Sequence, residues 1–246
     1  MKIVIDQKKV NRYRKIGQYT SLAALVILLG GFVIALSQII STFQTGSTAP
    51  VINEQMLTYS YIAMFIGLVL TQISLYFGNR WGRKETIDQS ISNSLKGLDD
   101  RYTLYHYTGP VPHLLVGPAG IWAITPMYQA GSITYDRKRY RQGGIRFFSR
   151  LFGQEGIGRP DLEADGYLQD MNRFIQKNLA ENQVADPGVV IVFTNPKVTL
   201  QVEDAPYATI PVEKLKDFIR RKAKEQMASL EKLKPLLAAL PQPQED

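Results

Sequence analysis

Residues able to do chemistry are sparse in this chain, and the densest group of them is the stretch 136–150, DRKRYRQGGIRFFSR. It sets Arg137, Lys138, Arg139, Arg141, Arg146 and Arg150 around a Gly-Gly pair, with Tyr140, Phe147 and Phe148 interleaved. Guanidinium and ammonium groups neutralise phosphates and aromatic faces stack on bases, so the composition suits a nucleic acid. It equally suits an anionic lipid surface, provided the segment lies close to a membrane. An exposed insertion loop with a solvated basic face is the third reading, and composition does not separate the three. Elsewhere the inventory is thin. No cysteine is present and only His106 and His113 supply imidazole, which excludes thiolate or His-rich zinc sites and the common Cys/His nucleophile pairs. His113, with Tyr105 and Tyr107 nearby in sequence and no carboxylate beside it, reads as a hydrogen-bonded structural histidine. No Gly-x-x-x-x-Gly-Lys loop, dinucleotide fingerprint or nucleophile elbow occurs, so neither a cofactor nor a metal is expected.

Two uncharged apolar runs must position these residues. Thr20–Ile40 and Met56–Gly78 each match the roughly 20 residues an α-helix needs to cross a bilayer core, and neither shows the polar face of a soluble helix. They predict a transmembrane hairpin over 17–79, with spans of about 20–40 and 56–78, so the bilayer is the first expected partner. A signal peptide cut at Ser47-x-Ala49 is disfavoured, because the apolar run exceeds the roughly 7–15 residues usual for one and Pro50 would follow the cut. The formal charge of +7 is uneven: Lys8, Lys9, Arg12, Arg14 and Lys15 precede the first run, Arg80, Arg83 and Lys84 follow the second, and the loop between them has no basic residue. The positive-inside rule then makes both ends cytoplasmic and places the protein in the plasma (cytoplasmic) membrane. Small residues at Ser60, Ala63, Gly67, Thr71 and Ser74 form one helical face, matched by Ala24, Gly31 and Ala35, for packing of the two helices on each other.

Beyond Trp81 the pattern becomes that of an α/β domain. A helix is expected over 84–98, a strand over 101–107, then a meander over 111–135 of two strands on either side of a turn at 117–120 and a third strand over 132–135, a helix over 161–180 behind Pro160, and a strand over 188–194. Gly188–Thr194, GVVIVFT, is apolar on both alternating faces, as a strand covered on both sides requires. One mixed sheet flanked by helices is the simplest packing for this order, with the domain at 80–222. The basic residues 1–16 form an N-terminal flank. Residues 223–246 are expected to be a helical extension and tail, interrupted at Pro235 and available to a protein partner or a second copy.

The segment HLLVGPAGIWAI at His113–Ile124, the following Gly131-Ser132-Ile133 and the helix-then-VVIVFT pair resemble the nuclease-related domain (NERD) family, a branch of the restriction-endonuclease-like fold. The likeness covers roughly residues 84–221. Members carry an Asp on one strand and a Glu-x-Lys on the next, because Mg²⁺ takes hard oxygen ligands and two residues apart on a strand share a face. Here those positions are Pro112, Thr125 and Met127, none of which supplies a carboxylate or an amine. Glu85 matches the family glutamate on the first helix and also fits a solvated helix surface. The resemblance therefore implies the scaffold with a degenerate active site: a binding or scaffold module for an anionic partner. The alternative is a metal-dependent nuclease whose ligands have moved to Glu85, Asp99, Asp100 or Asp136.

Overall fold

The computed structural model describes residues 1–44, 53–144, 156–179, 186–225, 228 and 230–242. The chain divides into two compact units, residues 8–84 and residues 1–7 with 85–246.

The first unit is a pair of helices long and apolar enough to cross a membrane, α1 (Gln7–Gln44) and α2 (Glu54–Trp81). At about 1.5 Å per residue, the 38 residues of α1 extend to roughly 57 Å, well beyond a bilayer core of about 30 Å. The basic flank that the sequence placed before the span is thus its first turns. Asn53 caps α2, its side chain accepting from the Gln55 and Met56 amides. The small-residue face packs on α1 as expected. Ser60 Oγ donates to Gly31 O at 2.8 Å, Ser74 Oγ to Gly17 O at 3.2 Å, and a Cβ on Gly31 would stand 3.0 Å from that of Ala63. Only 11% and 6% of the two apolar windows is buried, and Leu22, Leu29, Phe32, Val33 and Phe65 are exposed. A soluble core helix would be mostly covered, so this surface calls for an apolar solvent.

The second unit holds a mixed six-stranded sheet. Its strands are β1 (Lys2–Ile5), β2 (Thr103–His106), β3 (His113–Gly117), β4 (Gly120–Met127), β7 (Gly188–Phe193) and β9 (Ala208–Pro211), in the order β1-β2-β3-β4-β7-β9. The pairs β2/β3 and β3/β4 are antiparallel; β1/β2, β4/β7 and β7/β9 are parallel. Two features depart from the sequence reading. The N-terminal flank, for which no strand was expected, contains one: KIVI completes the sheet edge, and the Met1 amine donates to Leu98 O and, at 2.8 Å, to Asp100. Four residues are too few for a periodic signal, and the free edge of β2 supplied the partner. The second correction concerns the expected single sheet. β5 (Gly131–Asp136) leaves it and pairs with β6 (Arg139–Gly143) and β8 (Val198–Gln201) in a separate three-stranded sheet.

Alternation fills both faces of the large sheet. Leu104, Leu115, Ile124, Val190 and Val192 face α3 (Ile87–Leu95) and α5 (Leu215–Glu225), which contribute Ile91, Leu95, Leu215 and Ile219. Tyr105, Leu114, Ala123, Ile191 and Phe193 face α4 (Pro160–Asn178) and α6 (Leu230–Ala239). GVVIVF is accordingly buried on both sides. The helix α6 corrects the reading of a free C-terminal extension: it continues through Pro235, and Leu233 and Leu236 are fully buried in the second core. Its apolar face closes this chain's own sheet.

Candidate functional site

Thr125 and Met127 share a face, as their spacing on a strand requires, but that face is the packed one beneath α4 and α6. Thr125 is fully buried with no partner for its hydroxyl, and Met127 is 6% exposed within the apolar cluster. Pro112 lies in the β2–β3 connection, its carbonyl accepting the Tyr107 amide at 2.7 Å. Glu85 is exposed at the start of α3, on the opposite face of the sheet from Thr125, where its Oε1 accepts from Asn93 at 3.0 Å. The other acidic candidates are scattered. Asp99 is held below its ordinary range by hydrogen bonds from Arg101, Asp100 by the N-terminal amine, and Asp136 pairs with Arg141 at 3.5 Å. Among the described residues no three His, Asp or Glu side chains converge closely enough to hold a metal ion.

The two imidazoles meet. His106 and His113 are a cross-strand pair of β2 and β3, with their Nδ1 atoms 2.7 Å apart and His106 Nε2 2.9 Å from Ser92 Oγ on α3. The sequence reading anticipated a structural role for His113 but missed His106 as its partner. The available signal was that the two residues close opposite ends of a short strand connection. One proton fits between the two Nδ1 atoms, so one ring donates and the other accepts. Burial pushes His106 down to about 4, and burial together with the neighbouring ring pushes His113 well below 6.5. The Ser92–His106–His113 order matches that of a nucleophile, base and orienting group, but the rings are 0% and 2% exposed and closed to a substrate. The arrangement ties α3 to the sheet.

The basic stretch is partly a hairpin. Asp136 and Arg139 are paired across a two-residue turn in which Arg137 and Lys138 have φ of 49° and 61°. Two consecutive left-handed residues define a type I′ turn, which ordinarily takes Asn-Gly. Arg137, Lys138, Arg139 and Arg141 are all exposed, against the single carboxylate of Asp136, whose contacts to Arg137 and Arg141 are long and solvated. Arg146 and Arg150 lie outside the described residues. Tyr140 must be withdrawn as a stacking residue: alternation along β6 turns it inward, where it is 4% exposed and its hydroxyl lies 2.7 Å from Thr209 Oγ1. Placing a residue with a Cβ at a left-handed position costs about 1–2 kcal/mol. Lys138→Gly is therefore expected to stabilise the globular unit by about 1 kcal/mol, after allowance for the freedom glycine adds to the unfolded chain. A rise in the urea midpoint at constant m-value is the check.

No family model, curated protein or solved structure matches the chain.

Proposed function

We propose that this chain is an integral membrane protein displaying a catalytically inactive, nuclease-related domain that binds a phosphate-bearing partner, nucleic acid or lipid surface, through the β5–β6 hairpin. The observation that carries the reading is the hairpin tip: four exposed cations held on a turn whose backbone would favour other residues. Backbone strain retained at such a position fits a functional demand for charge. Two further features support the membrane arrangement. Basic residues flank both apolar helices and none lies in the loop joining them. In addition, β1 precedes the two helices and β2 follows them, and the two strands pair, which fits a chain that returns to the side it left. That side is the cytoplasm in this reading. The burial of Thr125 and Met127 in the packed face supports binding without metal-dependent strand cleavage.

The test uses the full chain in neutral nanodiscs, offered single-stranded DNA, duplex DNA and anionic vesicles at several salt concentrations. Binding that falls with salt is expected for one of them, and Arg137, Lys138, Arg139 and Arg141 changed together to Ser should weaken it by about a hundredfold or more, at roughly 1 kcal/mol per cation. DNA should remain intact in Mg²⁺. Unaltered binding in the quadruple variant would leave the hairpin an exposed loop and the reading without its support.

A further inference from the structure

Within the helical unit, α1 and α2 leave an open groove of about 630 Å³ between them. One wall carries Arg14, Gln18 and Ser21, spaced four and three apart and so on one face of α1, with Leu25 and Leu28 continuing the line. The Arg14 guanidinium is oriented by an Nε–H donated to Trp81 O at 3.1 Å. Among the described residues its two Nη groups, the Gln18 amide and the Ser21 hydroxyl have no hydrogen-bond or ion-pair partner. The other wall offers them none: Thr71 Oγ1 is turned to Gly67 O at 2.8 Å and Ser74 Oγ to Gly17 O. Gly78 has no side chain, and a Cβ there would meet nothing within 4 Å.

We propose that this groove is a binding site for an anionic phospholipid. Its phosphate sits on the Arg14 fork, its glycerol ester region meets Gln18 and Ser21, and an acyl chain runs along Leu25 and Leu28. The site rests on the membrane reading above. Three observations select this occupant. The polar ladder from Arg14 to Ser21 spans about 10 Å of helix axis, and the lining turns apolar beyond it. That is the order of layers met on entering a bilayer, whose polar zone on each side is several ångströms deep. A planar guanidinium whose two Nη groups are uncommitted among the described residues suits a phosphate bidentately. Finally, a second copy of the hairpin could not answer Arg14 with a carboxylate: the only acidic residue between 8 and 84 is Glu54, at the opposite end of α2.

The experiment starts with alkaline carbonate extraction of membranes carrying the full chain. Release into the soluble fraction overturns the membrane reading and the site with it. The retained protein is purified in mild detergent, equilibrated with phosphatidylglycerol and phosphatidylcholine, and examined by native mass spectrometry. One bound phosphatidylglycerol is expected, preferred about fivefold or more over phosphatidylcholine, with Arg14→Gln bringing the two near parity. Gly78→Leu, which fills the groove at its open position and raises helix propensity, should abolish retention of both lipids while the helical circular dichroism is unchanged. Equal retention of the two lipids by the unaltered chain, or undiminished phosphatidylglycerol on Gly78→Leu, overturns the site alone. So does efficient disulfide dimerisation of Ser21→Cys in the membrane, clean to read because the chain has no cysteine, which would give the groove to a second copy.

Discussion

Acidifying the protein from about pH 7 to about pH 4.5 is expected to remove on the order of 3 kcal/mol of stability from the globular unit, at 1.36 kcal/mol per pK unit. His106 is held down to about 4 by burial, and His113 lies well below 6.5. An unfolded chain takes up a proton on each imidazole as the pH passes below about 6.5, whereas the folded chain does not. Protons therefore favour the unfolded state. The stabilisation present above pH 6.5 is lost progressively until the pH falls through the folded value near 4. A second charge cannot be accommodated with the Nδ1 atoms 2.7 Å apart, so the two rings act in the same direction. The window is clean, because the chain has no other histidine. The shifted carboxyls Asp99, Asp100, Asp161 and Glu225 are all lowered from 3.8 or 4.5 and lose their contributions at more acid pH. Urea denaturation of the full chain in detergent, followed at Trp122, measures the loss. The double variant His106→Gln, His113→Gln should be nearly flat between pH 6.5 and 5. A slope as steep as that of the parent would show that the imidazole pair is not its source.

Gly117→Ala is expected to cost about 3 kcal/mol, at the upper end of the usual overpacking range. Gly117 closes β3 and pairs with Gly120 across the Pro118-Ala119 turn. A Cβ there would fall within 2.8 Å of Tyr102 Cγ and closer still to Cδ1. Tyr102 cannot swing away, since its ring is 4% exposed among Leu104, Leu115 and Phe218. Gly120, by contrast, is required for its backbone: its φ is +95° and a Cβ would have ample room. The two glycines of one turn thus answer to different constraints. Tyr102→Leu in the Gly117→Ala background should recover part of the loss, a coupling of about 1–3 kcal/mol in a double-mutant cycle. Additive losses would place the strain elsewhere.

Legibility followed the range of the interactions. The hairpin from Val111 to Met127 and the doubly buried GVVIVF were readable because alternation and turn chemistry act within a few residues. The helix α4, expected over 161–180, begins at Pro160 and presents Ala164 and Met171 to the core. The basic hairpin gives no strand signal in sequence, because Arg139, Arg141 and Gly143 face solvent and the inward face carries only Tyr140 and the polar, half-buried Gln142. The departure of β5 into a second sheet was illegible for another reason. Which edge a strand joins depends on β8, some sixty residues downstream, and no local pattern encodes that pairing.

By itself, then, the sequence determined the character of each segment: two charge-free runs long and apolar enough to cross a bilayer core, and an alternating α/β remainder that must bury one core on each side of a sheet. It also determined that Pro112, Thr125 and Met127 offer neither carboxylate nor amine. Only the tertiary structure decided which residues meet. It set His106 against His113, brought Lys2–Ile5 to the edge of β2 across nearly a hundred residues, drew Leu233 and Leu236 of an apparent tail into the core, and left Arg14, Gln18 and Ser21 unpaired along a groove. Local preferences are fixed by nearest neighbours along the chain. Partnership depends on which surfaces remain uncovered once the whole chain has closed, and on the desolvation cost of leaving them so.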